Sequence, residues 1–261
     1  MNDNILFLCI NLRSATKRRA AVEEQARRLG IEVQFVDAVV GKELPAEMPA
    51  YDKRGRAYTH TYDLSPNEIA CTLSHIKAME TFLASGAEYA VIMEDDIIFS
   101  ENIKEGLNEI IHHLRGWEAV KLYTDDGGKL YPLENVEEES ICVRAVFPRK
   151  IMWVSVGWLY TRKAVEQMLP EMQPFSRSSD AQIGYVLLEK QIPTIGVYPH
   201  LITTSDPNNE QSTIHTADMP RITSGRRRTL LQYLRYRLSV IRIARGKKRM
   251  IALMKQKLRR V

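Results

Sequence analysis

At 261 residues and 44% hydrophobic, the chain can bury one sizeable core, or a core plus an appendage, and a folded, soluble protein is expected. Its three cysteines, Cys9, Cys71 and Cys142, are odd in number, widely spaced and set in apolar segments, which argues against a disulfide framework or a zinc site and for a reducing compartment. The net charge of +5 averages two unlike regions: residues 225–261 hold 14 of the 37 basic side chains and none of the 32 acidic ones, so residues 1–224 carry 23 basic against 32 acidic.

The first apolar run, ILFLCI, is too short to span a membrane. It also lacks the basic residue before and the small-residue cleavage site after that mark a signal peptide, and it reads as a buried strand within 5–12. Residues 16–29 place Ala20, Val22, Ala26 and Leu29 among many charges and stop at Gly30, a natural helix C-cap. VQFV at 33–36 is a second strand ending at Asp37, which completes a β-α-β opening. Residues 40–64 are rich in Gly, Pro, Tyr and charge without a clear period, as in a mobile flap over an active site. Ser65 then reads as an N-cap, Pro66 as the first helical residue and Glu68 as the partner in a capping box. Ile69, Leu73, Ile76, Met79 and Leu83 line one face of that helix before Gly86 ends it.

Further strands are expected at 89–93, 119–123, 142–146, 151–156 and 194–198, and helices at 101–114, 162–169 and 181–190. Strands alternating with helices imply an α/β fold with a mainly parallel, covered sheet. The basic tail spaces Leu230, Leu234, Leu238 and Ile241 along one helical side with Arg235, Arg237, Arg242 and Arg245 on the rest. After Gly246, Ile251, Met254 and Leu258 repeat the scheme. The expected division is 1–224 as a catalytic body and 225–261 as a basic amphipathic segment for an anionic membrane surface; the alternative is a helix packed on its own body with an unusually basic outer side. Nucleic acid ranks lower as a partner, because the body is acidic and no nucleic-acid module is recognisable.

The chemistry concentrates at 89–100, YAVIMEDDIIFS. Ligands gather at the carboxyl edge of buried parallel strands, and three adjacent carboxylates there call for positive charge. Mg²⁺ or Mn²⁺ meets that need, since such hard cations take one or two carboxylates plus substrate phosphates. An acidic surface turn is the bland alternative, but it would not need VIM before it and IIF after it.

Four segments in order, INLRSATKRR with VDAVVGKEL, LSPNEIACTLSHIKAME, YAVIMEDDI and VGWLYTRKAVEQML, resemble glycosyltransferase family 25. These are the glycosyltransferases of bacterial lipooligosaccharide and lipopolysaccharide biosynthesis, related to collagen galactosyltransferase domains. The similarity is weaker through SSDAQIGYVL and QSTI. The resemblance implies a GT-A-type, Rossmann-like fold and an inverting hexosyltransferase, a β-galactosyltransferase by expectation, that uses a UDP-sugar, Mn²⁺ or Mg²⁺ and a lipid-linked oligosaccharide acceptor. It would be cytoplasmic and peripheral on the inner face of a bacterial inner membrane. EDD takes the place of a DXD motif: Asp96 and Glu94 as metal ligands, with Glu94 or Asp95 facing the ribose or a metal-bound water. Asp180 is the candidate base, with helix capping as its alternative. Asn11, Leu12 and Arg13 leave the first strand where nucleotide contact is expected, Asp37 stands where such folds bind ribose, and His75 is either a site residue or a packed core histidine. Arg13, Arg18 and Arg19 could hold the diphosphate or the base edge, and Arg18 and Arg19 read first as solvated helix charges. His200, Asp206 and His215 are all available as a last metal ligand, and Trp153 and Trp158 read as core ahead of a sugar wall.

Two rivals remain. A Mg²⁺-dependent nucleotidyl or phosphoryl transferase also wants carboxylates at a strand end, but no GxxxxGK[ST] or GxGxxG phosphate loop occurs. A non-catalytic, membrane-associated sugar-nucleotide-binding module would keep the fold without turnover.

Overall fold

A computed structural model describes residues 4–124, 131–134, 142–205 and 229–261. The chain runs β1 (Ile5–Asn11), α1 (Thr16–Leu29), β2 (Val33–Asp37), α2 (Lys53–Thr59), α3 (Pro66–Ser85), β3 (Tyr89–Glu94), β4 (Ile97–Phe99), α4 (Ile103–His113), β5 (Leu114–Arg115) and β6 (Ala119–Lys121). It continues through β7 (Arg144–Val146), β8 (Gly157–Thr161), α5 (Arg162–Met168), α6 (Ser179–Glu189), β9 (Thr194–Tyr198), β10 (Ile202–Thr204), α7 (Leu230–Lys257) and β11 (Arg259–Arg260).

The central sheet has seven strands in the order β2-β1-β3-β8-β6-β9-β7. β2, β1, β3, β6 and β9 run one way and β8 and β7 the other, so the sheet is mainly parallel. Its strands carry an almost unbroken apolar load, as strands buried on both faces must: Leu8, Cys9, Val91, Ile92, Met93, Val120, Leu159 and Ile195 are all at or near zero exposure.

The helix signals act as expected. Ser65 Oγ accepts from the Glu68 backbone N–H at 3.2 Å while Glu68 Oε2 accepts from the Ser65 N–H at 2.8 Å, and α3 ends at Gly86 in the left-handed region. α1 ends at Gly30 with φ 61°, where a side chain would be strained.

Three expectations are corrected. Residues 151–156 do not form a strand: Val154 has φ 53°, outside the extended region, and pairing with β3 begins only at Gly157, opposite Met93. Because β8 runs antiparallel to β3, residues 151–156 instead lie at the carboxyl edge of β3, where the Glu94 N–H donates to Val156 O at 3.1 Å. Residues 40–64 are not a structureless flap, since they contain the short helix α2, capped by Asp52. The basic segment does not break at Gly246, because α7 is one continuous helix of 28 residues. At Gly246 α7 packs against α6: a Cβ there would meet Leu188 Cβ at 3.3 Å.

The IIF that follows the acidic triplet is β4, paired antiparallel with β10, with Ile97 and Phe99 buried and Ile98 outside. Phe99 packs edge-on to Phe7 at 6.5 Å. The apolar residues on both sides of EDD therefore belong to two different sheets: Glu94 ends β3, and Asp95 and Asp96 are the bend between them.

Candidate active site

β1 and β3 are parallel neighbours with Ile10 opposite Glu94, so Asn11, Asp37 and the EDD bend leave the sheet along one carboxyl edge. There the three carboxylates part into three environments.

Asp95 turns towards β1 and α1. Asn11 Nδ2 donates to its Oδ2 at 2.7 Å and Arg18 Nη1 to its Oδ1 at 3.0 Å, and Asn11 is 3% exposed. Arg18 is thus a partner of the acidic motif and not a solvated helix charge, because α1 starts just past β1 and brings its first turn over the edge. Arg19 behaves as expected, pairing with Glu23 and stacking on Phe35.

Glu94 turns towards α3, where its Oε1 lies 3.4 Å from Nε2 of the buried His75. Cys71, one helical turn earlier, brings its Sγ into the same corner, and donor atoms of Cys71, His75 and Glu94 all lie within 4.8 Å of one another. Burial, with the charges of Glu94, Asp180 and Asp96 behind it, pushes the Cys71 thiol well above its usual range.

Asp96 is held by its backbone. Its carbonyl accepts from the Ser205 N–H at 2.7 Å and from Ser205 Oγ at 3.0 Å, which ties it to the end of β10. Its Oδ1 is buried and has no hydrogen-bond partner among the described residues. Burial and the Glu94 charge, opposed by Arg18 and reinforced by Asp95, push its carboxyl up to about 6. An orphaned carboxylate oxygen beside further carboxylates fits a hard divalent cation, and Glu94 and Asp96 are the oxygens that would hold it.

Asp180 lies in the first turn of α6, yet it does not cap that helix. Its Oδ2 accepts from the Val154 N–H at 2.8 Å, and the neighbouring Ser179 Oγ lies 3.4 Å from its Oδ1 and 3.3 Å from Cys71 Sγ. Asp180, Ser179 and Cys71 thus lead from α6 to His75 and Glu94. Loop 151–156 is tied to the sheet by the buried Lys121, whose Nζ donates to Lys150 O at 2.8 Å and to Trp153 O. Trp153 is 65% exposed on this loop, whereas Trp158 is core, stacked on Tyr160 at 5.8 Å.

Arg13 and Asp37 form a surface ion pair of 2.6 Å at the same edge, in which Arg13 holds the Asp37 carboxyl below its usual value. Leu12 is half-buried, and its carbonyl accepts from the Ala15 N–H at 2.8 Å. His200 sits between Tyr123 and Tyr198, with its Nδ1 accepting from the Thr124 N–H at 3.2 Å. Asp206, His215 and QSTI lie outside the described residues.

Sequence reading passed over Cys71, Ser179 and Ser205. The C-x-x-x-H spacing of Cys71 and His75 on a helix was a usable signal for the first. Nothing local marked the other two.

The chain is 25% identical over 182 residues to procollagen galactosyltransferase 1-B of Xenopus laevis, covering 65% of this chain and 28% of that protein. It is 35% identical over 100 residues to the lacto-N-neotetraose biosynthesis glycosyltransferase LgtB of Neisseria meningitidis, covering 38% of this chain and 36% of that one. The match thus spans roughly a third or less of the length of either relative. Among solved structures it aligns with a glycosyltransferase involved in glycosylation of the major capsid of PBCV-1, at TM-score 0.36 and 13% identity over 74% of this chain and 81% of that one. So low a score carries no argument, and the fold stands on the topology described above. The family model described as glycosyltransferase family 25 (LPS biosynthesis protein) matches residues 4–190, and this chain belongs to that family.

Proposed function

We propose that this protein is a metal-dependent, inverting glycosyltransferase that moves a hexose, galactose by family likeness, from a UDP-sugar to a lipooligosaccharide acceptor at an anionic membrane surface. The observation that carries the reading is the buried Oδ1 of Asp96, without a hydrogen-bond partner among the described residues, at the carboxyl edge of a mainly parallel sheet. Asp96 and Glu94 would hold a divalent cation, which would supply positive charge to the leaving diphosphate. Asn11 and Arg18 hold Asp95 in place, so its carboxylate is presented to the donor in one orientation. Asp37 at the end of β2 offers a ribose contact, with Arg13 beside it. Asp180 takes the proton from the acceptor hydroxyl, and a single base suffices for inversion. The Val154 N–H holds one oxygen of that carboxylate, which fixes the orientation of the other.

The membrane part of the proposal rests on the first half of α7. Leu230, Leu234, Leu238 and Ile241 are 76%, 50%, 65% and 43% exposed, with Arg235 and Arg237 beside them. The second half belongs to the body: Met250 and Met254 are fully buried, and Arg260 in β11 pairs with Glu134 at 2.6 Å and with Glu109. Among the described residues, no helix is long and apolar enough to cross a membrane.

Thermal stability of the full chain against UDP-, GDP-, CDP- and ADP-sugars and against nucleoside triphosphates, each with Mn²⁺ and with a chelator, tests the donor assignment. A Mn²⁺-dependent rise for a UDP-sugar is expected, followed by hexose transfer to a lipooligosaccharide acceptor. A rise with nucleoside triphosphates alone would favour a nucleotidyl transferase. A rise for a UDP-sugar without turnover would favour a binding module.

A further inference from the structure

Cys71 and His75 stand four residues apart on α3, so their side chains leave the same face of the helix. β3 delivers Glu94 to that face. The thiol sulfur, an imidazole nitrogen and a carboxylate oxygen lie within 4.8 Å of one another, and His75 Nε2 and Glu94 Oε1 are already 3.4 Å apart. Zinc bonds to such atoms place tetrahedral ligands about 3.5 Å from one another, so the cluster closes on a cation with side-chain shifts of about an ångström.

One neighbour strengthens the case. Ser179 Oγ is 3.3 Å from Cys71 Sγ, in position to orient a thiolate as a supporting hydrogen-bond donor. A thiolate, an imidazole and one carboxylate are a softer set than the oxygens around Asp96, and they favour Zn²⁺ over Mg²⁺ or Mn²⁺.

We propose that Cys71, His75 and Glu94 form a second, thiophilic site for a divalent cation of the Zn²⁺ class, with three protein ligands and one open position. It shares Glu94 with the hard-cation site but does not depend on Asp96. Occupancy ties α3 to the end of β3, so zinc stabilises the corner on which Ser179 and Asp180 are also seated.

The test is a titration of the full-length chain with Co²⁺, whose thiolate complexes show a charge-transfer band in the near ultraviolet. The band is expected to saturate at about one equivalent and to be displaced by Zn²⁺. It should vanish in Cys71→Ser, need far more Co²⁺ in His75→Ala, which loses a direct ligand, and persist in the Cys9→Ser, Cys142→Ser double variant. Persistence of the band in Asp96→Ala, together with loss of Mn²⁺-dependent turnover there, separates this site from the proposed donor-metal site. Absence of the band in folded wild-type protein would overturn the proposal, as would a band that survives Cys71→Ser. Should Cys71→Ser fail to fold, loss of the band in the Cys9, Cys142 double variant would overturn it equally.

Discussion

Asn11 Nδ2 lies 2.7 Å from Asp95 Oδ2, joining the last residue of β1 to the middle of the acidic bend across a distance of 84 residues in the sequence. The amide is buried and the carboxylate nearly so, with Arg18 on its other oxygen. Removing the amide leaves a partly unsatisfied charged acceptor, which costs about 1–3 kcal/mol. Asn11→Ala is therefore expected to lower Tm and to weaken donor binding. Asn11→Asp should be worse on both counts, because it sets a second carboxylate against Asp95. Equal donor affinity in all three proteins would show that Asp95 needs no anchor.

The Asp96 carboxyl is pushed up to about 6 in the metal-free protein, so its neutral form is the one that favours folding. That contribution is complete below the ordinary carboxyl value near 4 and disappears as pH rises through about 6, amounting to about 3 kcal/mol. Without metal, Asp96→Asn should match wild type at pH 4 and exceed it in Tm at pH 7.5. Mn²⁺ should raise the wild-type midpoint above pH 6 and leave the variant unmoved. A metal-free wild type that outlasts the variant at pH 7.5 would contradict the assigned environment.

Asp180 makes its described contacts with Val154 N–H and Ser179, so replacing it by the isosteric amide disturbs little packing. Asp180→Asn is expected to cut kcat by about 10²- to 10⁴-fold, the range of a general base, while the thermal shift from the UDP-sugar with Mn²⁺ survives. If kcat falls less than threefold, the base is another group.

The two halves of α7 should respond differently. Met254 is fully buried, and Met254→Ala should cost about 2–5 kcal/mol of stability. Leu234 and Leu238 face outwards, and changing both to Ser should leave stability within about 1 kcal/mol. Binding of that double variant to vesicles containing anionic lipid should fall at least about tenfold, measured by co-sedimentation. Undiminished vesicle binding would move the docking surface elsewhere. Deleting 225–261 is the poorer experiment, because it also strips Met250, Met254 and Leu258 from the core.

Much of this protein was legible before any coordinates. The capping box at Ser65 and Glu68, the glycine stops at Gly30 and Gly86, and the apolar strands around EDD are local signals, set by hydrogen bonds and periodicities within a few residues. They were enough to identify an α/β sheet, to place the acidic bend at a strand end, and to predict the apolar stripe Leu230, Leu234, Leu238 and Ile241. Residues 151–156 misled because a short run of apolar residues does not reveal where pairing begins; Val154 and the partner strand β3 decide that.

Residue identity alone thus determined the elements and the presence of a carboxylate cluster. Only the tertiary structure decided what each carboxylate faces: Asp95 an amide and a guanidinium, Glu94 an imidazole, and Asp96 no described partner for one buried oxygen. It likewise decided that β8 runs against β3, that Val154 reaches Asp180, and that Cys71 lies beside Ser179. The physical reason is that strand order and direction are set by the burial of whole faces, which joins residues far apart in the chain, whereas capping and periodicity act only between neighbours.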